Sequence, residues 1–184
     1  MASAASRKRL RELPSPEEMR QIVFNLKPHS DANVVLWAAA YLDHTLESLL
    51  VTSFVKLGKE DAKRLFDTSA GGVLGSFNAK IRIAHAMGLV AEDAKHDLLL
   101  VNEIRNVFAH SLHTINFSDE PVIKDCAALG TPDTVVQMGQ NGVPDVFSTR
   151  ERFEICFQFV YMRLIGTIKI LEHRKRTPEN PALT

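Results

Sequence analysis

The sequence predicts an all-α protein, a helical bundle with a long mobile loop ahead of its last long helix. Three observations carry this. Apolar residues recur at three- and four-residue spacing along several segments; Ser-x-x-Glu capping boxes stand directly before two of them; glycines and prolines punctuate the gaps between them. At 184 residues with 45% hydrophobic content, the chain suits one domain with a substantial core. The expected organisation is a basic flexible lead over 1–14, a single helical domain over 15–174 and a tail over 175–184.

The first helix starts at Ser15-Pro16-Glu17-Glu18, which supplies an N-cap, a proline at the first helical position and a capping glutamate, and runs to about Lys27. Asp31 is placed to cap the next helix. That helix carries Val34, Val35, Trp37, Ala38, Tyr41, Leu42, Thr45, Leu46, Leu49 and Leu50 on a wide apolar stripe, the mark of a central helix. Asp43, His44 and Glu47 interrupt its apolar run from Ala32 to Val55, so it reads as a buried helix rather than a membrane span. A short helix over Asp61 to Phe66 follows.

The segment Thr68 to Ser76 holds three glycines but lacks the lysine and hydroxyl spacing of a phosphate loop. Ser76 instead caps a helix from Phe77 to Met87, with Gly88 as its left-handed stop. The helix Glu92 to His110 turns Leu98, Val101, Ile104 and Phe108 to the core. Asp119 and Pro121 then start a short helix through Cys126 and Leu129. Gly130 to Val146, with three glycines and two prolines, reads as the mobile loop, Val135-Val136 forming a short extended piece within it. Ser148-Thr149-Arg150-Glu151 is the second capping box, and Phe153, Cys156, Phe157, Val160, Tyr161, Leu164, Ile165, Ile168 and Leu171 define the last helix.

Charge restricts the function classes. The 22 basic and 22 acidic residues cancel, which argues against direct binding of duplex DNA through many phosphate contacts. Basic residues cluster near both ends, at Arg7 to Arg11 and His173 to Arg176, as solvated tails commonly do. A helix-turn-helix over 59–90 fails because its glycine-rich connection exceeds the usual three- or four-residue turn. On the helix Phe77 to Met87, Lys80 and Arg82 do not face the same way and are expected to be solvated. The histidines lack metal-ligand spacing, so neither a metal nor another cofactor is expected. Two cysteines without CxxC spacing, and no apolar leader, make the cytoplasm the expected compartment.

The densest polar chemistry is the run Ile104-Arg105-Asn106-Val107-Phe108-Ala109-His110. A guanidinium holds phosphate through paired hydrogen bonds, and an imidazole moves a proton near neutrality. On a regular helix Asn106 and His110 share a face while Arg105 lies about 140° from His110, so the three converge only if the helix frays, bends or meets a partner. The alternative is that Arg105 and His110 serve the negative end of the helix dipole.

Val73-Leu74-Gly75-Ser76-Phe77, Ala79-Lys80-Ile81, Ala84-His85-Ala86-Met87-Gly88-Leu89, Ile104 to His110 and Phe117-Ser118-Asp119, in that order, resemble the mannitol-repressor (MltR-like) family over residues 33–130. The resemblance implies an all-helical transcriptional repressor without a recognised DNA-binding motif. It is expected to be a homodimer that acts through another regulatory protein. Arg105 and His110, with four residues between them, also resemble the Arg-x-His signature of HEPN domains, helical bundles that often dimerise. That second resemblance implies a HEPN-like bundle and an alternative activity, metal-independent cleavage of RNA in a toxin or defence module. Arg105, Asn106 and His110 would then be catalytic, with support from Asp43 or Glu47.

Overall fold

The computed structural model describes residues 13–26, 28–55, 57–137 and 147–176. Among these residues the protein is an all-α bundle of eight helices: α1 (Pro16–Leu26), α2 (Asp31–Ser53), α3 (Lys59–Phe66), α4 (Phe77–Ala86), α5 (Glu92–His110), α6 (Glu120–Ala127), α7 (Gly130–Gln137) and α8 (Thr149–Arg176). Both capping boxes form. Ser15 N–H donates to Glu18 Oε2 at 2.8 Å while Glu18 N–H donates to Ser15 Oγ at 3.3 Å. Ser148 and Glu151 repeat the exchange at 2.8 and 3.3 Å. Each box satisfies two backbone donors that a helix start leaves without intrahelical partners.

α2 and α8 form the most extensive pairing; α2 packs also on α4 and α5, while α6 and α7 close against α5 and α8. The core along this seam is Leu42, Leu46 and Leu49 of α2, Leu98 and Ile104 of α5, and Phe153, Phe157 and Tyr161 of α8, all almost fully buried. Each such side chain contributes about 1.5–3 kcal/mol relative to exposure. Phe108, Phe117 and Phe153 pack in series as tilted pairs, with ring centroids 5.8 and 5.5 Å apart, and so tie the end of α5 and the turn after it to α8. Among the described helices, α2 alone is long and apolar enough to cross a membrane by length and composition. Its apolar stripe is instead spent on α4, α5 and α8.

Three expectations change. Ser30, not Asp31, caps α2, with its Oγ accepting from Asn33 N–H at 3.4 Å. Asp31 is freed for long-range work: it accepts from Phe117 N–H at 3.0 Å and from Arg150 at 2.9 Å. Asp119 occupies the N-cap position of α6 but its carboxylate turns back to accept from Asn116 N–H at 2.7 Å. The stretch from Gly130, expected to be loop with an extended Val135-Val136, is helical to Gln137; the rest of the predicted loop, 138–146, lies outside the described residues, as do 1–12 and 177–184. The cause is remote in sequence. Asp97 of α5, 1% exposed, accepts from Gly130 N–H and Thr131 N–H at 2.9 Å each and from the Thr131 hydroxyl, capping α7 from another helix.

Two arginines in the first turn of α8 serve the opposite ends of other helices. Arg150 donates to Leu26 O at 3.1 Å and His29 O at 3.2 Å after α1, and pairs with Asp31 and Glu154. Arg152 donates to Cys126 O, Ala127 O and Leu129 O at 3.0, 3.2 and 2.8 Å, where α6 ends, and pairs with Asp133 of α7 at 2.7 Å. Arg152→Ala is therefore expected to lower unfolding free energy by about 2–4 kcal/mol, because it strands carbonyls and a carboxylate together. Arg152→Lys should recover less than half, since an ammonium cannot reproduce the fork. Urea denaturation of the three proteins measures both.

Candidate functional site

α5 stays regular to its end, with Ser111 N–H donating to Val107 O at 3.1 Å, so the angular separation between Arg105 and His110 persists. Arg105 Nη1 donates to Asn106 Oδ1 at 2.9 Å. Both side chains line a cleft of about 770 Å³ between α2, α4, α5 and the glycine-rich connection. His110 is exposed, is not among the residues of that cleft, and its imidazole makes no hydrogen bond or ion pair with a described residue.

One wall of the cleft is the outward side of α2, from Leu36 through Ala40 to Asp43, with Asn102 and Arg105 of α5 beside it. The other wall is the connection from α3 to α4. There Thr68–Ala70 form a 3₁₀ turn closed by Gly71 in the left-handed conformation (φ 71°), and Ser76 Oγ caps α4 by accepting from Ala79 N–H at 3.1 Å. Gly72 is fixed by crowding: a Cβ on it would stand 2.6 Å from Leu65 O. The glycines thus shape a wall that presses close to the end of α3. The ten residues from 67 to 76 separate α3 from α4, longer than the usual helix-turn-helix turn, and α4 buries Lys80, Ile81 and Ala84.

Asp43 and Glu47 meet neither His110 nor Arg105 but Lys80. This lysine, expected to be solvated, is only 3% exposed. Its Nζ donates to Glu47 Oε2 at 2.9 Å, lies 3.0 Å from Asp43 Oδ1 and sits 6.0 Å from the Phe66 ring centroid. Asp43 Oδ1 is buried and its contact with Lys80 lacks hydrogen-bond alignment, so that half of the arrangement is ionic only. A buried ammonium is tolerable because two carboxylates face it. The sequence did carry a signal: Lys80 stands three residues after Phe77 and four before Ala84, in the register of the buried stripe, opposite a helix whose apolar run contains two acids.

A second cavity of about 710 Å³, mostly apolar, lies between α5, α7 and α8 beside Phe159, Val135 and Asp97. At its rim Arg163 grips Asp93 through two hydrogen bonds, 2.7 and 3.1 Å, which hold the Asp93 carboxyl below the usual carboxylate range. Among the described residues no three His, Cys, Asp or Glu side chains gather to hold a metal. Burial pushes the Cys126 thiol up to about 12 and Cys156 well above the ordinary thiol range.

The fold is similar to that of a possible transcriptional regulator, YggD, from Shigella flexneri, known from a crystal structure. The TM-score is 0.54 at 14% identity, over 86% of this chain and 99% of that one. No protein-family model and no curated protein sequence matches the chain.

Lys80→Met is expected to cost about 2–4 kcal/mol, because Asp43 and Glu47 then repel at the α2–α4 contact; adding Asp43→Asn and Glu47→Gln should restore most of it. Chemical denaturation of the single and triple variants reads the difference. Neither cysteine should react with iodoacetamide in the native protein at neutral pH, while both should label in denaturant, as intact-mass measurement would register.

Proposed function

We propose that the protein is a transcriptional regulator of the mannitol-repressor type that acts through protein contacts rather than by reading DNA bases. The observation that carries this is the correspondence with the possible transcriptional regulator from Shigella flexneri. Because the match takes in 99% of that chain, the shared bundle is nearly all of it, which supports the reading without fixing it, since a shared fold does not by itself carry a function. The order of motifs from Val73 to Asp119 and the balanced charge support the same reading. A homodimer is part of the same reading, and Trp37 of α2, 52% exposed and outside the lining of the cleft, is an apolar contact available to it.

A second reading, metal-independent cleavage of RNA, is favoured by one observation: Arg105, Asn106 and Asp43 share a cleft. His110 as proton carrier would have to reach that cleft from outside it, which places the burden on a second copy of the chain.

The two readings separate in one set of measurements. The purified protein should leave single-stranded RNA intact in EDTA, and His110→Ala should retain the wild-type effect on transcript levels when it replaces the native gene. Cleavage by the wild type that His110→Ala and Arg105→Ala abolish, with folding unchanged, would overturn the regulator in favour of the ribonuclease.

A further inference from the structure

We infer that the cleft between α2, α4 and α5 binds a small hydroxylated organic oxyanion, anchored by Arg105, so that the regulator carries its own effector site. The inference rests on the regulatory reading for its purpose but on the cleft alone for its chemistry. At about 770 Å³ the cleft has the size of small-molecule sites, and its lining mixes apolar and polar residues in near-equal measure. Leu36, Ala39 and Ala40 with the Phe77 ring supply surface for a carbon skeleton.

The polar groups are unequally committed. Arg105 spends one of its five N–H donors, on Asn106. The amide oxygens of Asn106 and Asn78 are occupied, by Arg105 and by Arg82 Nε at 2.9 Å, which leaves their NH₂ groups available. Asn102 makes no hydrogen bond with a described residue and offers both ends of its amide. Donors therefore exceed acceptors, and a ligand rich in acceptors matches them; a carboxylate or a phosphate ester meets a guanidinium through paired bonds.

Charge limits the ligand further. Asp43 turns one oxygen to Lys80 and keeps the other as an acceptor for a hydroxyl. The formal charges of Arg105, Lys80, Asp43 and Glu47 sum to zero, so the surroundings offer no excess positive charge to a long polyanion, and the attraction for an oxyanion is local to the Arg105 guanidinium.

Calorimetric titration of the full chain with glycerol 3-phosphate, glycerate and glycerol, one three-carbon skeleton with a phosphate, a carboxylate or neither, tests this. Saturable binding of glycerol 3-phosphate or glycerate, with glycerol inert, is the expected result, and the preferred ester or acid identifies the oxyanion. Arg105→Ala should weaken it at least tenfold, and Asn102→Leu, which fills the cleft without touching a charge, should weaken it comparably while leaving the circular dichroism spectrum unchanged. No binding by either anion, or binding that both variants leave intact, overturns the inference. So does Arg105-dependent binding of single-stranded RNA that neither small anion displaces. Binding by the cleft together with unaltered transcript levels in Arg105→Ala would instead count against the regulatory reading alone.

Discussion

A helix that ends inside a bundle leaves carbonyls without partners, and in this protein the first turn of α8 resolves that constraint for two helices at once. Arg150 reaches the carbonyls after α1, and Arg152 those at the end of α6. Each guanidinium also holds a carboxylate, Asp31 or Asp133, on the element that follows the end it serves. A planar fork with five donors does this where an ammonium would not. Asp31 then passes the connection on by accepting from Phe117 N–H, which fixes the turn after α5 and the aromatic series Phe108, Phe117 and Phe153. The capping box at Ser148 sets where α8 starts, and that starting point places both arginines.

A second buried charge fixes the other half of the bundle. Lys80 fastens α4 to α2 through Asp43 and Glu47, and the glycine-rich connection packs Gly72 against the end of α3. The cleft is the space left between these fixed walls and α5. Its shape follows from a charge that must stay neutralised, so its polar rim does not depend on mobile surface side chains alone. The same pairing explains why α2 can be apolar over most of its length and still carry two acids: they face a cation from a neighbouring helix.

Local signals were readable and remote ones were not. The capping boxes at Ser15 and Ser148, the cap at Ser76, the left-handed stop at Gly88 (φ 70°) and the core face of α5 all follow from patterns within a few residues. α7 escaped because its cap, Asp97, lies 33 residues upstream, so the segment from Gly130 looked like a helix without a start. Asp31 was misplaced for the converse reason: an acid beside a helix start suits the N-cap, yet Ser30 takes that position and leaves Asp31 for Arg150 and Phe117. Lys80 has a polar identity and a buried register, and only the two acids of α2 decide between them. Arg105 and Asn106 were legible as chemistry but not as a cleft, since the α2 wall and the glycine-rich wall come from chain segments far from either.

The regularity of α5 bears most directly on function. Had the helix frayed after Val107, Arg105 and His110 could have turned towards one phosphate within a single chain. It does not fray; Ser111 closes the last turn, and Ser111 Oγ and His113 then close a further turn beyond it. A guanidinium and an imidazole whose helix positions stand about 140° apart on one rod are not directed at the same phosphodiester by that rod. Chemistry that uses His110 at the cleft would need that histidine brought in from a second copy of the chain, whereas Arg105 and Asn106 already line the cleft within one chain. That asymmetry separates the two proposed readings: ligand recognition calls on side chains that one cleft holds, and catalysis calls on one that lies outside it.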